Sequence, residues 1–263
     1  MNPIISAQAI SKRYRIQRDR PDSLKEAVVR RRKRSSSSEF WALRNVSLDI
    51  APGSFHGLIG HNGSGKTTLL KLMAGIHKPT MGVMEVNGRV SALLELGSGF
   101  HPELSGRENI YLNGAILGLS RKEMDLAVDE IIEFSDIGEF IDAPVKILSS
   151  GMYVRLGFAV AVHVAPEILL IDEVIAVGDE AFQRKCLEHL YELRRAGTTI
   201  VLVSHSLPLV EGLCDEVGWL DHGHLMQAGE ATEVCWLTLT QSTPKKPKNL
   251  GMEMMNKPIP IPP

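Results

Sequence analysis

Within eight residues, Gly60-His61-Asn62-Gly63-Ser64-Gly65-Lys66-Thr67 sets two further glycines, a lysine and a closing threonine hydroxyl behind an opening glycine. Glycines at this spacing let a backbone wrap closely around a phosphate, so that its N–H groups and the start of a following helix meet the negative charge. In the pattern GxxxxGK[ST], Lys66 would reach the β- and γ-phosphates of a nucleotide. Thr67, followed by Thr68, would offer its hydroxyl to Mg2+. The plainer reading is a glycine-rich turn that binds nothing; the apolar strand before it and the helical pattern after it favour the phosphate loop. A second constellation, Ile168-Leu169-Leu170-Ile171-Asp172-Glu173, is an apolar run ending in two carboxylates. Alone it is a strand meeting solvent. Downstream of a phosphate loop it places Asp172 at the metal, through water, and leaves Glu173 to orient or deprotonate an attacking water. A third, Leu148-Ser149-Ser150-Gly151-Met152, is a small-residue turn opening a helix and so a second anion site; capping by Ser149 or Ser150 is compatible with that use.

These groups need elements to hold them. Apolar patterns predict strands over 4–10, 43–50 and 54–59, with Pro52-Gly53 turning into the third. Helical and strand patterns alternate after Gly65, and the near-unbroken runs 168–171 and 199–203 suit parallel strands covered on both faces. Residues 107–134 read as two helices with no strand between them. Asp221-His222-Gly223-His224, between apolar runs, signals a hairpin. Between the first two strands lies a basic insert, about 18–40. It predicts a short helix ending in Arg30-Arg31-Arg32-Lys33-Arg34, with Leu24, Ala27 and Val28 on one face, and then four serines as an exposed joint. A solvated helix end and a helix lying on anionic lipid both fit this pattern.

The chain has 263 residues with formal net charge −2, so the basic insert leaves the remainder clearly acidic. No nucleic-acid partner is expected. Cys186, Cys214 and Cys235 have no CxxC spacing and read as reduced thiols. No signal peptide and no apolar run of about 20 residues is present, which predicts a soluble, cytoplasmic chain whose membrane role comes through a partner. After about Leu239 the composition turns to lysine and proline, and residues 241–263 are expected to be disordered.

The motifs occur in an order that resembles ABC transporter ATPases. Leu148 to Met152, followed by Arg155, resembles the signature sequence LSGGQ; Ser204-His205 matches the switch histidine; Ala176-Val177-Gly178-Asp179 stands where the D-loop belongs. Tyr14 matches the aromatic that stacks on adenine, though a Tyr at a strand end also serves plain packing. The resemblance implies an α/β P-loop NTPase core, a parallel sheet with an antiparallel N-terminal β subdomain, plus a helical subdomain at about 100–160, all within residues 1–240. It implies ATP and Mg2+, catalysis by Lys66, Glu173 and His205, and a homodimer in which Ser149, Ser150 and Gly151 contact the γ-phosphate held by the other copy. Two departures stand out. Ser150 and Met152 replace the usual Gly and Gln of the signature. The stretch 91–100 also lacks the family's coupling Gln, for which Glu95 is the stand-in and a candidate near the metal.

The segments LLELGSGFHPELSGRENIYLNG, SSGMYVRLGFAVAV and IDEVIAVGD are similar to the ATPases that export O-antigen, capsular polysaccharide or teichoic acid. That similarity implies a lipid-linked glycan as cargo, two copies of an integral-membrane permease as partners, and a peripheral position at the cytoplasmic face of a bacterial inner membrane. The carbohydrate-binding β-sandwich of some members needs about 100 residues, more than follow Leu239, and is not expected. Other cargoes, a lipid or a drug, remain the alternative. A non-transport ATPase fits less well, because the chain has neither a second cassette nor a coiled-coil insertion. A non-catalytic module would have lost Lys66, Asp172, Glu173 or His205.

Overall fold

The computed structural model describes residues 2–16, 38–94, 99–164, 166–173 and 178–241. Strands β1 (Ile5–Ile16) and β2 (Ser38–Ile50) pair antiparallel, and β4 (Met81–Val86) joins the free edge of β1, giving a three-stranded sheet in the order β2-β1-β4. The second sheet has six strands in the order β5-β6-β7-β3-β8-β9: β5 (Val90–Leu93), β6 (Ile168–Asp172), β7 (Thr199–Val203), β3 (Phe55–Ile59), β8 (Glu216–Asp221) and β9 (His224–Glu230). Its pairings are parallel except the β8–β9 hairpin. Helices α1 (Lys66–Met73), α2 (Gly106–Ile116), α3 (Arg121–Ser135), α4 (Ser150–His163), α5 (Glu180–Arg195), α6 (Leu207–Leu213) and α7 (Ala231–Gln241), with short 3-10 turns at Gly138–Asp142 and Val145–Ile147, complete the described elements.

The central strands are apolar throughout because both faces are covered, and their side chains alternate between two cores. Phe55, Ile59, Leu169, Ile171, Ile200 and Leu202 pack with the helices, including Ile131 of α3 and Phe158 of α4. Leu58, Ile168, Leu170, Val201 and Val203 pack on the opposite face against α1 and the antiparallel sheet, whose Ile5, Ile10, Leu43 and Ile50 are fully buried. Each such side chain contributes about 1.5–3 kcal/mol on burial. The predicted helix pair is α2 and α3, each opened by a capping box, Ser105 with Glu108 and Ser120 with Glu123. Such a cap contributes about 1 kcal/mol.

The first two strands are longer than their apolar patterns predict. Ladder irregularities near Ala9, whose φ is +51°, reset the register and let pairing continue to Ile16 and Ser38. Tyr14 therefore sits within β1, opposite Phe40, instead of at a strand end. The last helix also continues beyond Leu239, to Gln241. All three cysteines are buried free thiols, and burial pushes Cys186 and Cys214 up to about 12. Among the described residues no helix is long and apolar enough to cross a membrane. The basic insert, Glu95, Ala176-Val177 and the segment from 242 onward lie outside the described residues.

Candidate functional site

Strand order decides where the chemistry gathers. β6, β7 and β3 are parallel neighbours, so their carboxyl ends share one edge of the sheet. The phosphate-loop sequence follows β3, Asp172-Glu173 ends β6, and Ser204-His205 follows β7. In open α/β sheets this is the edge where ligands bind.

The loop from Gly60 to Gly65 is held by close backbone approach. Gly60 has φ +143°, and a Cβ there would fall 2.1 Å from the Leu220 carbonyl oxygen; at Gly65, φ +110°, it would fall 2.7 Å from the Ala42 oxygen. Gly65 is also the N-cap of α1. It offers no side-chain cap, and the first turn of α1 carries no acidic residue, so the helix start is open to an anion. The buried Lys66 donates from Nζ to the carbonyl oxygens of Gly60 at 2.8 Å and His61 at 3.1 Å. Burial pushes its ammonium below the ordinary value, countered by the Glu173 and Asp172 carboxylates.

Burial raises the Asp172 carboxyl above the usual carboxylate range, against a hydrogen bond accepted from the Thr67 hydroxyl; the neighbouring Glu173 charge adds to the rise and Lys66 opposes it. Glu173 adopts φ +53°, a left-handed conformation unusual for a residue with a Cβ, while its N–H donates to the Val203 oxygen at 2.9 Å. Non-glycine residues in this region cluster at functional sites. The Glu173 carboxylate stands 3.4 Å from Nδ1 of the exposed His205. The register pairs Asp172 with Val203, which sets the next residues of the two strands side by side.

A cleft of about 480 Å3 is lined by Phe40, Ala42, Asn62, Gly63, Gly65, Lys66, Thr67, Thr68, Asp172 and Glu173. Most of the phosphate-loop and strand-end candidates thus meet in one place. Gly60 and the buried Ser64 shape the loop from behind, and His61 turns away to Asp221, with Nε2 at 2.7 Å from Oδ1. Tyr14 does not line the cleft. It makes an edge contact with His77, ring centroids 5.9 Å apart, and carries the Lys12 ammonium over its ring. The aromatic that does line the cleft is its register partner Phe40, half exposed. Nothing in the motif spacing marks Phe40; only the pairing of β1 with β2 brings it there.

Ser149, Ser150 and Gly151, at the start of α4, do not line this cleft. Ser149 is the N-cap, accepting from the Met152 N–H at 3.2 Å, and Ser149 and Ser150 are exposed. Arg155, one turn on, bonds Asp179 at 2.8 Å and Asp136 at 3.2 Å, while Asp179 caps α5 by accepting from the Phe182 N–H. The start of α4 is thereby braced against the segment that follows the β6 carboxylates.

The family described as ABC transporter matches residues 43–176. The chain is 54% identical over 204 residues to the O-antigen export system ATP-binding protein RfbB of Myxococcus xanthus; the match covers 78% of this chain and 47% of that protein, so the chain spans about half the relative's length. Identity to the protein of the same name from Klebsiella pneumoniae is 44% over 237 residues, 89% of this chain and 96% of the relative. The teichoic acids export ATP-binding protein TagH of Listeria innocua is 44% identical over 230 residues, 88% of this chain and 68% of that protein. A solved dimeric ATP-binding cassette in a post-hydrolysis state, bound to ADP and Pi, matches in fold with TM-score 0.69 at 21% identity, covering 86% of this chain and 98% of that one.

Proposed function

The chain belongs to the ABC transporter family, with the fold of its ATP-binding cassettes, and on that premise we propose that it is the ATP-binding and ATP-hydrolysing subunit of a polysaccharide exporter. The observation that carries the catalytic part is the convergence of Lys66, Thr67, Asp172 and Glu173 on one cleft at the carboxyl edge of the sheet. The export part rests on relatives named for O-antigen and teichoic acid export.

The phosphate-loop N–H groups, the open start of α1 and the Lys66 ammonium bind and orient the β- and γ-phosphates. Phe40, with Tyr14 beside it on the strand pair, is the aromatic surface offered to the base. The Thr67 hydroxyl and the Asp172 carboxylate are hard oxygen donors joined by a hydrogen bond inside the cleft, a donor set that fits Mg2+. When bound, Mg2+ supplies charge neutralisation at the phosphate oxygens. Glu173 accepts the proton of the attacking water, and His205, at its side, donates toward the γ-phosphate.

The signature turn at Ser149 to Gly151 does not line its own cleft and its serines are exposed, which supports a role in a second copy's cleft. Two chains closing head to tail around two nucleotides would each supply the other's missing anion contacts. Hydrolysis would then reopen them. The helical pair α2–α3 and the segment around Glu95, the stand-in for the coupling Gln, would transmit closure to two permease subunits that carry a lipid-linked glycan. The subunit would lie at the cytoplasmic face of the inner membrane, the basic insert meeting anionic lipid there.

Glu173→Gln tests this directly, since an amide cannot take the water's proton. The variant is expected to bind ATP and accumulate as an ATP-dependent dimer, with phosphate release lowered by about 100-fold or more. Lys66→Ala is expected to weaken nucleotide binding instead. Phosphate release at the wild-type rate from Glu173→Gln would refute the assignment of Glu173.

A further inference from the structure

We infer that His61, Asp221 and His222 form a binding site for a transition-metal ion of the Zn2+ class, separate from the nucleotide cleft and bridging the phosphate loop to the β8–β9 turn. One candidate ligand atom from each of the three residues lies within 4.8 Å of the others, and this is the only such triad of His, Cys, Asp or Glu among the described residues. Two imidazoles and one carboxylate suit Zn2+ and its neighbours in the first transition row, whereas Mg2+ and Ca2+ prefer oxygen donors. Three protein ligands with a fourth position open to water is the pattern of an accessible zinc site.

The geometry is close to what such an ion needs. Zn–N and Zn–O bonds of about 2.0–2.1 Å in a tetrahedron separate ligand atoms by about 3.4 Å. His61 Nε2 lies 2.7 Å from Asp221 Oδ1, and His222 Nε2 lies 3.9 Å from the same oxygen, so the observed spacings bracket that value. Side-chain adjustments of under about 1 Å close the difference. The two imidazole rings already lie close together, centroids 4.7 Å apart and planes tilted by 58°.

Hydrogen bonding prepares His61 for this use. Its Nδ1 stands 2.7 Å from the Asn62 carbonyl oxygen, which can only accept, so Nδ1 carries the hydrogen. Metal-ligating histidines characteristically donate their other N–H to a carbonyl or carboxylate in this way. Nε2 is then the ring nitrogen that faces the Asp221 oxygen, where a metal ion would bridge the two.

The backbone places His222 with equal care. His222 and Gly223 are the two central residues of the β8–β9 turn, with φ +45° and +81°, the left-handed pair that this tight hairpin requires. The turn is fastened independently of the imidazoles, to the phosphate loop by the Gly223 N–H donating to the Ser64 oxygen at 2.9 Å and to β2 by the Arg44 N–H donating to the Gly223 oxygen at 2.8 Å. The two histidines, far apart in sequence, are therefore held in register before any ion arrives. A bound ion would cross-link loop and hairpin and stabilise the folded chain by linkage.

The test uses the full chain, with any polyhistidine tag removed and metal stripped by chelator, without nucleotide. Zn2+ is titrated calorimetrically, and Co2+ is added in parallel to read the visible absorption of a tetrahedral site. One equivalent of Zn2+ should bind at micromolar concentration, undisturbed by millimolar Mg2+, and Co2+ should give the tetrahedral band. His222→Asn keeps a residue that tolerates the left-handed turn but removes the imidazole; it should weaken Zn2+ binding at least about tenfold and abolish the Co2+ band. Asp221→Asn should weaken binding similarly. Thr67→Ala, which alters the candidate Mg2+ donors, should leave Zn2+ binding unchanged. The proposal is overturned by an absence of saturable Zn2+ binding, by wild-type affinity in His222→Asn, or by loss of the Zn2+ signal in Thr67→Ala. The buried thiols Cys186, Cys214 and Cys235 are poorly placed to supply a competing site.

Discussion

His56 lies in β3, the strand that leads into the phosphate loop, and is 1% exposed. Neither ring nitrogen has a hydrogen-bond partner among the described residues, and the Glu216 carboxylate, 3.7 Å from Nδ1, is beyond hydrogen-bonding reach. Burial pushes this imidazole down from 6.5 to about 4, only partly countered by the Asp215 carboxylate. The folded chain therefore keeps the ring neutral at pH values where the unfolded chain protonates it. Stability from this group is intact above 6.5 and is lost as pH falls through 6.5 toward about 4. The interval corresponds to about 3 kcal/mol in full, of which about 2 kcal/mol is lost by about pH 5. His56→Leu removes the titration and both unpartnered atoms. In denaturant unfolding, the variant should lose about 2 kcal/mol less than wild type between about pH 7.5 and 5. At the upper pH it should match wild type or exceed it by about 1–3 kcal/mol, according to how well leucine packs. Burial lowers His163 as well, so the difference between the two proteins is the readout, not the wild-type slope alone. An equal pH loss in both proteins would refute the reasoning.

Three further perturbations test the loop, the carboxylate and the basic insert. Gly60→Ala drives a Cβ into the Leu220 carbonyl and should cost roughly 2 kcal/mol or more, whereas Gly63→Ala, with nothing within 4 Å of the added carbon, should cost about 1 kcal/mol for its φ of +81°; equal melting temperatures for the two would count against the loop geometry. Because burial raises the Asp172 carboxyl, stability from that group is present at low pH and is lost as pH rises through its folded value. Asp172→Asn should therefore raise the nucleotide-free melting temperature at neutral pH while weakening Mg2+-dependent hydrolysis, and a lower melting temperature would contradict the burial argument. Replacing Arg30, Arg31, Arg32, Lys33 and Arg34 by Gln should leave the isolated subunit's ATPase unchanged but reduce binding to anionic vesicles, most at low salt, and depress export. Unchanged vesicle binding would leave the insert as a solvated helix end.

Local order in the chain made much of the site legible. Gly60 to Thr67 and Ile168 to Glu173 are contiguous, and the chemistry proposed for them follows from residue type and spacing alone. The unbroken apolar runs of β6 and β7 announced buried parallel strands because a strand covered on both faces needs apolar residues at every position. The hairpin at Asp221 to His224 was equally local. Tertiary structure decided what depends on distant partners. The placement of β3 beside β7, and of β7 beside β6, sets Lys66, Glu173 and His205 at one edge, and that strand order is chosen by packing two cores on opposite faces of the sheet. The edge pairing of β4 with β1 has no short-range signal, because its residues alternate weakly and are mostly exposed. Phe40 enters the cleft only through the reset register of β1 and β2, which also carries Tyr14 inside the strand. His61 and His222 meet because Gly60 lets the loop approach the end of β8, a contact between backbones with no trace in the spacing of either segment. Motifs record the chemistry that neighbours in sequence perform together; contacts across the sheet edge depend on which strands the two cores bring side by side, and only the folded chain holds that information.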